Sequence, residues 1–145
     1  MPVLLNNGQR AVAVPTAAVR RTAGRILKGM NRKGELLSIL LTDNRKMTEL
    51  HERWMGEPGP TDVLSFSGDG SVEVLGDVAI SVEIAAQRAR KRAGRLTPAG
   101  LQRQITTLLI HGALHLCGHD HHRPGPAARM RRQARRLARL LEGAA

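Results

Sequence analysis

The segment His111-Gly112-Ala113-Leu114-His115-Leu116-Cys117-Gly118-His119-Asp120-His121 concentrates the residue types that carry chemistry. His111 and His115 stand four apart in a run of helical periodicity. That spacing puts both imidazoles on one helix face, one turn apart, where they can share a cation. Gly118 can take the left-handed conformation that stops a helix and reverses the chain. The reversal can return His121 to the same ion. Three neutral imidazoles with a fourth position open form a catalytic zinc arrangement, not a closed structural one. Without an ion, two histidines on a buried helix would each need a polar partner of their own.

The neighbouring groups have competing readings. His119 and His122 are spare imidazoles, read as exposed polar residues. Asp120 either accepts an N–H from a ligating ring and fixes its tautomer, or caps the chain reversal as a turn residue. Cys117 is read as a small packing residue in preference to a soft ligand. The spacing H-x3-H-x2-G-x2-H also occurs in metzincin proteases, which place a glutamate directly after the first histidine. Gly112 holds that position here and cannot move a proton, so a peptidase would need a base from elsewhere. Zinc also lowers the pKa of water and polarises an oxygen substrate. A phosphodiester suits the surroundings better, because that part of the chain is strongly cationic.

The charge distribution carries this point. The net charge is +11. Residues 1–84 hold ten basic and ten acidic residues, whereas residues 85–145 hold thirteen basic and two acidic. An uneven positive field favours a polyanion such as RNA, a ribosome or an anionic membrane. Aromatic side chains are limited to Trp54 and Phe66, with no tyrosine, which argues against a domain that binds nucleic acid by stacking bases on exposed rings. The 145 residues, 41% hydrophobic and 24% charged, suit one domain with a packed core. No apolar run reaches the length of a membrane span. The start, MPVLLNNGQR, lacks signal-peptide features, and the single Cys117 fits a reducing cytoplasm.

The elements that must position the histidines follow from local patterning. Residues 2–6 and 35–41 read as strands, as do 62–66 and 72–82, the last two joined by Ser67-Gly68-Asp69-Gly70 in a hairpin-type connection. A helix opens at Pro15-Thr16, with Val19, Ala23, Ile26 and Leu27 on one face. Asp43 or Asn44 caps a second helix, whose face carries Met47, Leu50 and Trp54. A third helix spans about residues 83–93, with a basic outer face. Thr97-Pro98 starts the histidine helix, which is apolar nearly all round from Leu108 to Leu116 and is therefore buried. Pro124-Gly125-Pro126 breaks the chain before a last helix, about 127–142, with six arginines beside a Met/Leu stripe. The fold class is α+β. Residues 1–145 form a single mixed domain of about four strands and about five helices, with the metal site at the end of a buried helix.

At these residues the chain resembles the YbeY family of zinc-dependent single-strand endoribonucleases, also called rRNA maturation factors. The family pattern H-G-x-L-H-L-x-G-x-D-H is matched by His111 to His121, P-T-D-V-L-S-F by Pro60 to Phe66, and G-D-I-x-I-S by Gly76 to Ser81 (GDVAIS). Order and spacing agree over roughly residues 34–125. The resemblance implies a mixed α/β fold and one zinc ion per chain on His111, His115 and His121. It also implies a cytoplasmic endonuclease acting on single-stranded RNA, rRNA and ribosomal components, in maturation of the 16S rRNA 3′ end and in ribosome quality control. No membrane span and no small-molecule cofactor are implied.

One stretch departs from the family. Where the family has L-N-x-x-Y-R, this chain has Leu50-His51-Glu52-Arg53-Trp54-Met55. Met55 stands where the family's arginine assists phosphate binding and cleavage. Arg53 and Arg123 are the replacement candidates, although Arg53 lies about 200° around an ideal helix from that position. Arg53 also reads as an ordinary solvated residue. The departure favours the alternative of a non-catalytic, zinc-stabilised protein that binds rRNA or the ribosome. A zinc peptidase is the third reading, opposed by Gly112.

Overall fold

Leu37, Ile39 and Leu41 alternate with Ser38 and Leu40 along β2 (Leu36–Thr42), so that one strand face is wholly apolar and buried. The same alternation runs through β4 (Val74–Ser81), where Val78 and Ile80 are fully buried. These strands form the centre of a four-stranded sheet completed by β1 (Val3–Asn7) and β3 (Val63–Ser67), in the order β1-β2-β4-β3. β1 and β4 each pair parallel to β2, while β3 is an antiparallel edge strand on β4. The computed structural model describes residues 3–71 and 73–143. Pro2 and Val72, expected to open the first and fourth strands, lie outside the described residues.

Helices cover the two faces unequally. The remaining elements are α1 (Thr16–Gly29), α2 (Asn44–Met55), α3 (Val82–Ala93), α4 (Pro98–Leu116) and α5 (Pro124–Gly143). On one face, β2 and β4 share a core with Ile26 and Leu27 of α1, Ala85 and Ala86 of α3, and Ile105 and Leu109 of α4, and Met130 and Leu137 of α5 join it from a helix packed on α1 and α4. The other face carries a smaller cluster of Met47 from α2 with Leu64 and Ala79. Burial of apolar side chains from α1, α3, α4 and α5 in the core on this side of the sheet therefore supplies most of the driving force. The α+β class, the four strands and the five helices agree with the sequence expectation. Among the described residues, no helix is long and apolar enough to cross a membrane.

Local chemistry sets the helix starts. The Asp43 carboxylate accepts the Lys46 N–H (2.9 Å), Ser81 Oγ accepts that of Ile84 (3.1 Å) and Thr97 Oγ1 that of Gly100 (3.0 Å). Three expectations change in detail. Pro124 opens α5 instead of breaking the chain, because proline's fixed φ and missing N–H suit a first helical turn. The connection between β3 and β4 is longer than expected, since β3 ends at Ser67 and β4 begins only at Val74. Trp54 is 59% exposed and does not share the burial of Met47, because the last turn of α2 runs past the part of the sheet that it covers.

Candidate metal centre

Helix α4 is seated on the sheet through Gly112. A Cβ on this residue would lie 2.8 Å from Val78 Cγ1 and 3.2 Å from Ser65 Oγ. The Ser65 hydroxyl donates to the Gly112 carbonyl at 2.9 Å, tying α4 to the edge strand β3. This contact explains why the residue after the first histidine has no side chain: a glutamate there could not approach the sheet. It also sets the rotation of α4, leaving His111 and His115 partly exposed while Gly112, Ala113 and Leu114 are buried. Gly112→Ala is expected to cost about 1–3 kcal/mol through overpacking. The midpoint of thermal unfolding should fall by about 3–8 °C. Metal affinity should fall about tenfold as α4 lifts, and recover in Gly112→Ala/Val78→Ala, in which the clash is relieved. Calorimetry and metal titration check both.

The chain reverses after Leu116. Gly118, at φ 87°, donates its N–H to the His115 carbonyl (3.0 Å), and the His119 N–H donates to Leu114 (3.1 Å). Asp120 then accepts the His122 N–H at 2.8 Å. The reversal brings His121 Nδ1 to 2.9 Å from His115 Nε2, which is itself 3.1 Å from His111 Nε2. All three ligand atoms lie within 4.8 Å of one another.

These atoms fit a divalent cation. A neutral imidazole has one donor and one acceptor nitrogen. His115 Nε2 faces two other ring nitrogens at once, and a shared cation accepts a lone pair from each ring. Tetrahedral zinc with bonds of about 2.0–2.1 Å would hold its nitrogens about 3.3 Å apart, close to the spacing found. Burial, and then the positive charges of the companion histidines, lower the pKa values of His111 and His115, keeping the lone pairs free of protons. The Asp62 carboxylate opposes this at His111.

The flanking residues resolve into distinct roles. Asp120 caps the reversal, and its pKa is lowered chiefly by the His122 N–H it accepts. Arg123 Nε lies 3.7 Å from Asp120 Oδ2, on the loop that carries His121. Arg53 is on α2, its guanidinium carbon 5.3 Å from the Trp54 ring centroid. The Cys117 thiol points at Met30 Sδ (3.9 Å), and burial raises its pKa, so it packs as a small apolar group. The His122 ring lies against that of His121, with centroids 4.1 Å apart.

An ion pair not anticipated from the sequence adjoins the cluster. Asp62 accepts the Val63 N–H and the Arg88 guanidinium, both at 2.8 Å, and its charge reaches His111. Only the PTDVLSF segment hinted at Asp62, and nothing local pointed to Arg88. His51 helps hold the preceding loop, with Nδ1 2.9 Å from the Gly59 carbonyl and Nε2 3.3 Å from Glu57.

Comparisons with known proteins bear on this arrangement. A family model described as Endoribonuclease YbeY matches residues 4–142. A protein of Anaeromyxobacter sp. (strain Fw109-5) with that description is 43% identical over 132 residues, covering 88% of this chain and 66% of that protein. Another, from Geobacter sulfurreducens, is 33% identical over 152 residues, covering 98% of this chain and 97% of that protein. In the matches to the Anaeromyxobacter protein and to one from Thermobifida fusca, the aligned region spans 66% and 60% of the relative's length, less than two thirds of each. The solution structure of a Thermotoga maritima protein superposes with a TM-score of 0.60 at 16% identity, over 98% of this chain and 93% of that one, which is a likeness of fold.

Proposed function

The chain belongs to the endoribonuclease YbeY family, and from that premise we propose that it is a zinc-dependent, single-strand-specific endoribonuclease acting in the cytoplasm, in 16S rRNA 3′ end maturation and ribosome quality control. The observation that carries this reading is the convergence of three imidazole nitrogens at the end of α4; in this reading His111, His115 and His121 hold one zinc ion per chain. When bound, the ion supplies a Lewis acid for a phosphate oxygen and a lowered pKa for water. Arg123, beside the His121 loop, binds a phosphate oxygen and orients the scissile group. Asp120 holds the reversal that presents His121.

The wider surface supports an RNA substrate. Arg129, Arg131, Arg132, Arg135, Arg136 and Arg139 of α5 all reach solvent, while Ala127, Met130 and Leu137 of the same helix are buried in the core. Removing α5 would therefore remove part of the core, so its role in RNA binding is tested by charge removal. Replacing Arg131, Arg132, Arg135 and Arg136 with glutamine should leave the fold intact and weaken binding of a single-stranded RNA. The slope of log affinity against log salt should flatten by about 0.7 for each phosphate that the variant no longer neutralises. An unchanged slope would mean that α5 is only a solvated face.

The reading as a whole is tested by elemental analysis together with cleavage of a short rRNA 3′ precursor, using the wild type and a triple-histidine variant. Zinc and cleavage in the wild type, and neither in the variant, are expected. Met55, 46% exposed where the family has its arginine, favours a second reading as a non-catalytic rRNA-binding protein. Zinc with tight RNA binding and no turnover would establish that alternative. Chelator-sensitive proteolysis with RNA untouched would instead indicate a peptidase.

A further inference from the structure

Trp54 and Phe66, the only aromatic residues of the chain apart from histidine, meet edge to face with ring centroids 6.4 Å apart. They line a groove of about 680 Å³ on the sheet face opposite α4. Its existence follows from the shortness of α2. That helix covers the sheet at Met47, Leu64 and Ala79, then ends at Gly56. The next row across the strands, formed by the register partners Ser38, Asp77 and Phe66, is left open. Asp77 is exposed in the middle of the sheet, and its carboxylate makes no hydrogen bond or ion pair among the described residues. Arg53 stands over Trp54 on the same helix turn.

We propose that this groove is a nucleobase subsite that takes an unpaired guanine of the RNA; the proposal rests on the RNA-binding reading above. The base stacks on Trp54, with Phe66 presenting its edge, and the adjoining phosphate meets Arg53. Asp77 selects the base. A carboxylate only accepts hydrogen bonds. Guanine offers two adjacent N–H donors, one for each oxygen. Adenine and cytosine pair one amino donor with a ring nitrogen acceptor that would face the second oxygen. Uracil flanks its single N–H with carbonyls. An apolar partner helix fits less well, because Ser38, Asp77 and Ser67 interrupt the apolar lining. The location suits a substrate that also reaches the histidines. Phe66 follows Ser65 on β3, and Ser65 bonds to Gly112 beside His111, so one edge strand separates the groove from the metal centre.

Trp54 is the only tryptophan, so its fluorescence reports on this groove alone. The full chain, with and without a chelator, is titrated with GMP, AMP, CMP, UMP and ribose 5-phosphate. Saturable quenching is expected with GMP at concentrations about tenfold lower than with the other nucleotides, and none with ribose 5-phosphate. Asp77→Asn, whose amide pairs a donor with an acceptor and so suits the edges of all four bases, should abolish the preference for GMP. Phe66→Leu should weaken GMP binding about fivefold or more. Equal responses to all four nucleotides, a response to ribose 5-phosphate, or an unaltered base order in Asp77→Asn would overturn the proposal. So would quenching by an amphipathic peptide but by no nucleotide. The readout needs neither metal nor cleavage: a zinc-loaded chain that binds GMP and cuts nothing sinks the nuclease reading alone, and the converse result sinks the subsite alone.

Discussion

His115→Ala is expected to empty the metal centre and abolish RNA cleavage while leaving the protein folded. His115 is the shared member of the cluster, with Nε2 3.1 Å from His111 and 2.9 Å from His121. Without it, only two imidazoles remain, one from α4 and one from beyond the chain reversal, and two ligands hold an ion far less tightly than three. Zinc in a four-ligand site is bound by about 10–16 kcal/mol, so one ligand accounts for roughly 3 kcal/mol or more, about two orders of magnitude in affinity. Metal content should fall from one ion per chain to a small fraction, and cleavage by about a thousandfold or more. His115 is only partly buried and borders the surface, so circular dichroism should change little. Full metal stoichiometry in the variant would contradict the ligand assignment.

Gly76→Ala is expected to be the most destabilising conservative substitution in the chain. Gly76 sits at φ 146°, where the register of β4 against β2 shifts and one extra residue is accommodated. That region of backbone space is essentially reserved for glycine. An added Cβ would collide with the Phe66 carbonyl on β3, and would come within 2.8 Å of Leu116 Cδ2 at the end of α4. Backbone strain and the clash add, and a backbone carbonyl in a paired strand cannot swing aside. The combined cost is about 4 kcal/mol or more, a large share of the roughly 7–15 kcal/mol typical of a chain this long. The midpoint of thermal unfolding should fall by about 10 °C or more. Because Leu116 follows His115, metal affinity should fall as well. A variant that melts within about 2 °C of the wild type would show that the bulge relaxes easily.

Much of this was legible in the chain itself. Thr97-Pro98 marks the start of α4, the 111/115 spacing puts two imidazoles on one face, and Gly118 marks the reversal. All three depend on interactions within a few residues, which patterning records directly. The apolar run of residues 35–41 likewise marks a strand, and the structure buries its Leu37, Ile39 and Leu41 on one face. The hairpin connection and Pro124 were read less well, because loop length and the status of a proline depend on what the flanking elements pack against.

Sequence alone determined which residues were able to bind an ion, where the first four helices begin, and that the positive charge gathers in the second part of the chain. Tertiary structure decided what stands beside them. It placed Arg88 on Asp62, 26 positions away, and Gly112 under Ser65, 47 positions away. It turned Asp120 to the His122 N–H and laid Arg53 over Trp54. It also left part of one sheet face open, where Trp54 and Phe66 meet beside Asp77. The physical reason is that such neighbours follow from strand order and from how far each helix extends across the sheet. These are set by the packing of the whole core, and no periodicity within a single element encodes them.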